Sequence, residues 1–231
     1  MTTPIVCLDI AGTIVQDDGA VEIAFQQAFD GIDEEVNDSI LGYVRDTMGK
    51  SKLEVFTAVL GDEGRARTAA ALFEEAYGRI LESGAVQLFS GVQDALRDLR
   101  ELRALICLTT GFGAPTRLAL IEELRLAPLI DISLSPADAF GGRGRPAPDM
   151  LLSALIMLGG TDVRDLVACG DTTSDLLAAH NAGAGLTVGV TTGAHTREQL
   201  LSIEPDYILD SVVELPTVVH EWAQMREAIN G

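Results

Sequence analysis

At 231 residues the chain can bury one large core, or a core carrying a smaller inserted unit. Sixteen Lys and Arg against thirty-five Asp and Glu leave a formal charge of -19, a field that argues against nucleic acid and anionic membranes as partners. The same field repels a phosphate-bearing substrate, so any anion site must be built locally from a metal, a few basic side chains and backbone N–H groups. Cys7, Cys107 and Cys169 each sit in an apolar run without a pairing pattern and read as buried free thiols in a reducing compartment. No basic stretch leads into an apolar run at the N-terminus, and none of the apolar runs approaches the roughly 20 residues that span a bilayer. The expected location is cytoplasmic.

In chain order, β-branched apolar runs predict strands over 4–10, 104–109, 130–134, 165–169, 186–190 and 207–209. Helices are expected over 92–102, 116–126, 149–158, 174–182 and 197–202, with a last one over 215–229. This alternation is the pattern of a doubly wound parallel α/β sheet. Residues 15–88 break it: they contain no convincing strand and read as helices over 21–29, 34–47, 52–60 and 68–81, with Asp33-Glu34-Glu35 as a solvated helix start. An all-helical crossover of that length is better explained as an inserted domain than as a loop. The expected organisation is an α/β core from 1–14 and 89–231, with a helical cap domain over 15–88. The loose loop 140–148 carries Gly141, Gly142 and Gly144, which free it to bring Arg145 inward and form no dinucleotide fingerprint.

Ligands of open α/β sheets sit at the carboxyl ends of the strands, beside a topological switch point. The first strand ends in LDIAGT, with Asp9 at its tip and Gly12-Thr13 in the exit turn; the second ends in CLTTGFG, with Thr109, Thr110 and exposed glycine N–H groups. The fourth ends in ACGDTTSDLL, with Asp171 at its tip and Asp175 four residues on. Taken singly, Asp9 is an ordinary turn residue and Asp175 an ordinary helix-start acid. Converging, these carboxylates repel each other unless a cation lies between them, and Mg²⁺ prefers such oxygens. One carboxylate can then attack phosphorus.

Asp-x-x-Gly-Thr, a Thr after strand two, Arg-Pro before a helix and Gly-Asp-x-x-x-Asp together resemble the haloacid dehalogenase superfamily, across nearly the whole chain. The resemblance implies a Rossmannoid core with a helical cap and Asp9 as nucleophile. It implies Mg²⁺ held by Asp9, the Ala11 carbonyl and Asp171, with Asp175 supporting the metal shell. Thr109 or Thr110 would bind the phosphoryl group, Thr110 slightly preferred, while Arg145 screens its charge. Gly12, Thr13, Gly111, Phe112 and Met48 complete the expected substrate-binding set.

Two positions depart from the common phosphatase pattern. The general acid two residues after the nucleophile is Ala11 here, and the usual Lys of the third motif is Arg145. Ala11 cannot protonate a leaving alkoxide. DIAGT, GRP and Met48-Gly49-x-x-Lys52 resemble the phosphonatase (phosphonoacetaldehyde hydrolase) branch. That resemblance implies a Schiff base between Lys52 and a substrate aldehyde, C–P cleavage of a 2-oxo-alkylphosphonate, and a possible homodimer formed through the caps. Locally, Gly49 suits a helix C-cap, and Ser51 to Glu54 fits a capping box that starts a helix at Lys52. The helix dipole, with Lys50 and Arg45 expected nearby, disfavours a second ammonium there, which would leave the amine partly neutral. The branch's His three residues after the lysine is Val55 here, and its Tyr is Phe112. The competing readings are a phosphomonoesterase acting on a small phosphometabolite and a non-catalytic binding protein. His180, His195 and His220 read as surface or helix-packing residues, and Trp222 as packing in the last helix.

Overall fold

The computed structural model describes residues 3–16 and 18–230. Its centre is a six-stranded parallel sheet made of β1 (Ile5–Asp9), β4 (Leu105–Thr109), β5 (Ile132–Leu134), β6 (Leu166–Gly170), β7 (Leu186–Val190) and β8 (Tyr207–Leu209). The strand order is β5-β4-β1-β6-β7-β8. The chain therefore winds outward in both directions from β1, and the switch point lies between β1 and β6. All five residues of β1 and all five of β6 are buried, as continuous apolar runs in a parallel sheet require.

Alternation along the strands feeds two cores. Val6 and Leu8 join Ile106, Leu108, Val167 and Val188 on one face, packed by α5 (Val92–Glu101) and α10 (Leu215–Asn230). Ile5 and Cys7 join Cys107 and Ala168 on the other, against α7 (Asp149–Met157) and α8 (Thr173–Ala182). The remaining core helices are α6 (Ala114–Glu123) and α9 (Arg197–Leu201). All three thiols are free and buried. Trp222 packs as expected, its indole N–H donating to the Gly185 carbonyl at 3.1 Å. Among the described residues no helix is long and apolar enough to cross a membrane.

Between β1 and β4 stand α1 (Ala20–Asp30), α2 (Asp38–Asp46), α3 (Lys52–Leu60) and α4 (Glu63–Glu82). This helical insert is built on an aromatic stack of Phe25, Phe29, Phe56, Phe73 and Tyr77, all fully buried and continuous with the first core. Phe25 touches Phe56 and Phe73 at centroid distances of 4.8 Å each.

Several local expectations need correction. The insert's ends do carry strand: β2 (Val15–Gln16) pairs antiparallel with β3 (Gln87–Leu88), and two-residue strands are too short to leave a periodic signal. The acidic run 33–35 is no helix start, because Asp33 takes a left-handed φ of 54° and α2 begins only at Asp38, capped by the Asn37 side chain. Helix α4 starts at Glu63 behind an Asp62 cap, five residues earlier than its apolar stripe suggests. The C-cap of α2 is Thr47, and Gly49 takes its left-handed φ of 84° two residues later. Helix α3 does begin at Lys52, but the Ser51 side chain makes no cap hydrogen bond.

Candidate active site

The strand tips deliver their polar residues to one buried place. The register sets Asp9 opposite Thr109 on β4, and Leu8 opposite Cys169 on β6, which brings Asp171 just beyond the tip of β6. Asp9 is 5% exposed and Asp171 1%. Burial pushes Asp9 up to about 6; Arg145 opposes this and Asp175 adds to it. Burial raises Asp171 well above the usual carboxylate range, with the charges of Asp9 and Asp175 reinforcing it. Two adjacent carboxylates that resist joint ionisation are a donor set suited to a cation.

Asp171 is held on both oxygens. Thr13 Oγ1 donates to Oδ1 at 3.0 Å and the Ala194 N–H to Oδ2 at 2.8 Å. The exit turn of β1 passes so close that a Cβ on Gly12 (φ +85°) would meet Asp171 Oδ2 at 2.5 Å, so this position admits only glycine. Thr13 is thus fully buried against Asp171 and does not line the cavity, which corrects its expected contact with substrate.

Arg145, 3% exposed, comes in from the 140–148 loop beneath Asp9. Its NH1 lies 2.6 Å from Asp9 Oδ1 and also bonds Asp175 Oδ1. Burial alone would lower the guanidinium's pKa; the carboxylates of Asp175 and Asp9 outweigh it and raise it. Its Nε and NH2 are buried and have no hydrogen-bond partner among the described residues, donors that an anion beside Asp9 would satisfy. The other oxygen of Asp175 accepts from the Thr172 N–H and hydroxyl, closing a Thr-x-x-Asp capping box on α8. Both Asp175 oxygens are therefore hydrogen-bonded, so Asp175 holds the arginine and the loop. Among the described residues no group of three or more Asp, Glu, His or Cys side chains is gathered closely enough for a metal. What fits an ion is the smaller set of Asp9, Asp171 and the Ala11 backbone.

These strand tips floor a cavity of about 510 Å³ whose wall is the helical insert. Asp9, Ala11, Gly12, Thr110, Gly111, Phe112 and Asp171 line it from the core, and Met48, Gly49 and Lys52 from the insert. Thr109 does not: its hydroxyl turns to the Leu8 carbonyl at 3.5 Å, so of the two adjacent threonines it is Thr110 that lines the cavity. Lys52 is 6% exposed, and its Nζ lies 5.1 Å from the Phe112 centroid, 5.4 Å from Phe25 and 5.5 Å from Phe73. The neighbouring cations expected to act on it are themselves paired, Lys50 with Glu54 at 3.7 Å and Arg45 with Glu22 at 2.6 Å. Aromatic faces, not bare positive charges, surround the amine. Val55 is buried in the insert core and does not line the cavity.

A haloacid dehalogenase-like hydrolase family model matches residues 3–183. The chain belongs to that family. It is 29% identical over 221 residues to the probable phosphatase IndB of Dickeya dadantii, covering 94% of both chains. It is 28% identical over 275 aligned positions to the phosphonoacetaldehyde hydrolase of Vibrio cholerae, covering 97% of each. Its backbone superposes on a phosphonoacetaldehyde hydrolase-like protein from Oleispira antarctica with a TM-score of 0.82 at 23% identity, over 97% of this chain and 94% of that one. Membership makes the chain a hydrolase and accounts for the shared Rossmannoid fold.

Within this hydrolase, some site residues left little trace in the sequence. The capping box of Thr172 and Asp175 was readable from its spacing. The loop carrying Thr192, Gly193 and Ala194 to the cavity was not, nor was the Glu22–Arg45 pair at its rim. His195 is no surface residue: it is 6% exposed, its Nδ1 accepts from the Thr173 N–H at 2.9 Å, and burial lowers its pKa against the pull of Asp175. His180 and His220 do lie at the surface.

Proposed function

We propose that this hydrolase cleaves the C–P bond of a 2-oxo-alkylphosphonate, using Asp9 as phosphoryl acceptor and Lys52 as the amine that captures the carbonyl. The observation that carries the reading is the buried amine of Lys52 on the same cavity as Asp9, while the position that would supply a proton to an ester oxygen is Ala11. A carbanion is a far poorer leaving group than a protonated alkoxide, and an iminium two atoms away is the electron sink it needs.

The steps balance as follows. Neutral Lys52 Nζ adds to the aldehyde or ketone carbon; with one proton taken from solvent, water leaves and a protonated imine forms, and that proton returns to solvent when the iminium is later hydrolysed. An Asp9 carboxylate oxygen attacks phosphorus; the C–P electron pair moves to carbon and onto nitrogen, forming an enamine and an aspartyl phosphate. Protonation of the enamine carbon restores the iminium, which water hydrolyses to the shortened carbonyl product and Lys52. A second water cleaves the aspartyl phosphate to phosphate and Asp9. In sum, one phosphonate and one water yield one carbonyl compound and phosphate. Mg²⁺, held by Asp9, Asp171 and the Ala11 carbonyl, would neutralise phosphoryl charge and allow both carboxylates to ionise. The Thr110 hydroxyl and the unpartnered Arg145 donors would bind the remaining phosphoryl oxygens.

The 28% identity to a phosphonoacetaldehyde hydrolase over nearly the full chain supports this reading. The similarity to IndB supports a second one, an ordinary phosphomonoesterase in which water or a rim carboxylate replaces the acid missing at Ala11. Phosphate release from phosphonoacetaldehyde and from a panel of phosphate esters, each with Mg²⁺, separates them. Turnover of the phosphonate that is lost in Lys52→Ala supports C–P cleavage. Ester turnover indifferent to Lys52→Ala, with the phosphonate inert, overturns it.

A further inference from the structure

We infer that Glu74, on α4 of the helical insert, is a positioning residue for the phosphoryl-binding loop, clamping the Thr110–Gly113 turn by direct hydrogen bonds from the insert. Helix α6 starts immediately after this turn, and its N-cap is Gly113, which has no side chain to satisfy the first-turn N–H groups. Pro115 removes one of those donors by its chemistry. Two others are taken by Glu74, whose Oε1 accepts from the Gly113 N–H at 2.8 Å and Oε2 from the Thr116 N–H at 3.3 Å. A carboxylate from a distant helix thus stands where a local Ser, Thr or Asp would ordinarily cap. It also meets the positive end of the α6 dipole.

The turn is held at its other end as well. The Lys52 N–H, at the start of α3, donates to the Gly111 carbonyl at 3.4 Å. A Cβ on Gly111 would lie 2.2 Å from the Lys50 carbonyl oxygen, so the two backbones meet with no room for a side chain. Between these grips the Phe112 N–H donates to Thr110 Oγ1 at 3.1 Å, fixing the hydroxyl that faces the cavity. A local cap at Gly113 would stabilise α6 without reporting whether the insert is seated. A cap borrowed from α4 ties the turn's geometry to the insert's position, so the phosphoryl site is complete only when the insert is docked on it.

The inference rests on the reading of Thr110 as a phosphoryl ligand, and the test keeps the two apart. Gly113 has φ -69° and ψ 167°, the extended conformation of an N-cap that any residue adopts. In Glu74→Ala/Gly113→Asp the new carboxylate can cap Thr116 locally, in space the lost side chain vacates. Amide exchange by NMR is compared in the wild type, Glu74→Ala and this double variant. Glu74→Ala should speed exchange at Thr116 and Phe112 by about tenfold. The double variant should restore Thr116 but leave Phe112 fast. Its affinity for inorganic phosphate with Mg²⁺ should stay about as weak as that of Glu74→Ala, several-fold below wild type. Return of Phe112 exchange to the wild-type rate in the double variant, or no change in Glu74→Ala, would overturn the inference, since Glu74 would then be only a helix cap or nothing. If wild type binds no phosphate, the reading of Thr110 fails and the exchange rates alone decide the clamp.

Discussion

The two walls of the cavity are built in different ways. The floor is made by strand tips, where each functional group is fixed by neighbours a few residues away or on the adjoining strand: Thr13 and Ala194 hold Asp171, and Thr172 holds Asp175. The charges there are close, buried and mutually dependent, so the floor is an electrostatic device. The helical wall brings in the Lys52 amine, with the Glu22–Arg45 pair at its rim, and surrounds the amine with rings from α1, α4 and the turn after β4. That wall is a packing device. The difference teaches where each half is vulnerable: the floor to a change of charge, the wall to a change of shape.

The sharpest way to break the comparison is at the floor. Asp9→Asn keeps the shape and removes the proposed nucleophile, so phosphate release should fall by roughly four orders of magnitude or more from every substrate. At the wall, Lys52→Met fills a similar volume without an amine. Phosphonate turnover should fall by about a thousandfold or more, with melting temperature nearly unchanged and any phosphate-ester turnover retained. Loss of both activities together would erase the distinction between the two walls.

Stability separates them next. Arg145→Met leaves Asp9 and Asp175 buried without their shared cation and should cost about 3–5 kcal/mol, read by chemical denaturation at pH 7. At the wall, Phe73→Ala should cost a similar roughly 3–5 kcal/mol, but by leaving a void. The two losses should respond differently to pH. Lowering pH towards 5 should relieve the Arg145 variant by protonating carboxylates and leave the Phe73 variant as it was.

The smallest effect concerns the metal. Burial raises the Asp9 pKa to about 6 from 3.8, so the folded protein holds its proton more tightly than the unfolded chain. Without a metal, stability from this group is fully present below about pH 4 and is lost as pH rises through about 6. On the proposed reading a divalent cation would bind the ionised pair, so about 10 mM Mg²⁺ should raise the melting temperature by several degrees at pH 7.5 and by little at pH 5. Equal shifts at both values would place the cation elsewhere.

The floor was largely legible in the sequence because its signals are local. A carboxylate at a strand tip and a glycine in the exit turn lie within a few residues of each other, and the places of the strands along the chain followed from the alternation of apolar runs with helical stretches, while their order in the sheet did not. Side-chain direction was harder to read: Thr109 and Thr110 are adjacent, Thr110 was preferred only slightly, and it is the one that lines the cavity. Thr13 likewise turned to Asp171, 158 positions away. The wall was legible at Lys52 through its motif, but its surroundings were not. Lys50 and Arg45 are close in sequence, yet they are paired elsewhere, while Phe25, Phe73 and Phe112 are distant in sequence and meet only after packing. Glu74 reads as one more acid on a polar helix face, and its task depends on a glycine 39 positions on.

The most direct measurement is borohydride reduction in the presence of phosphonoacetaldehyde, followed by peptide mass spectrometry. A reduced adduct on Lys52 is expected in the wild type, absent in Lys52→Met and still formed in Asp9→Asn, because imine formation precedes phosphoryl transfer. Absence of any adduct on Lys52 in the wild type, while phosphate is still released from esters, would contradict the C–P reading and leave Asp9 as the nucleophile of a phosphomonoesterase.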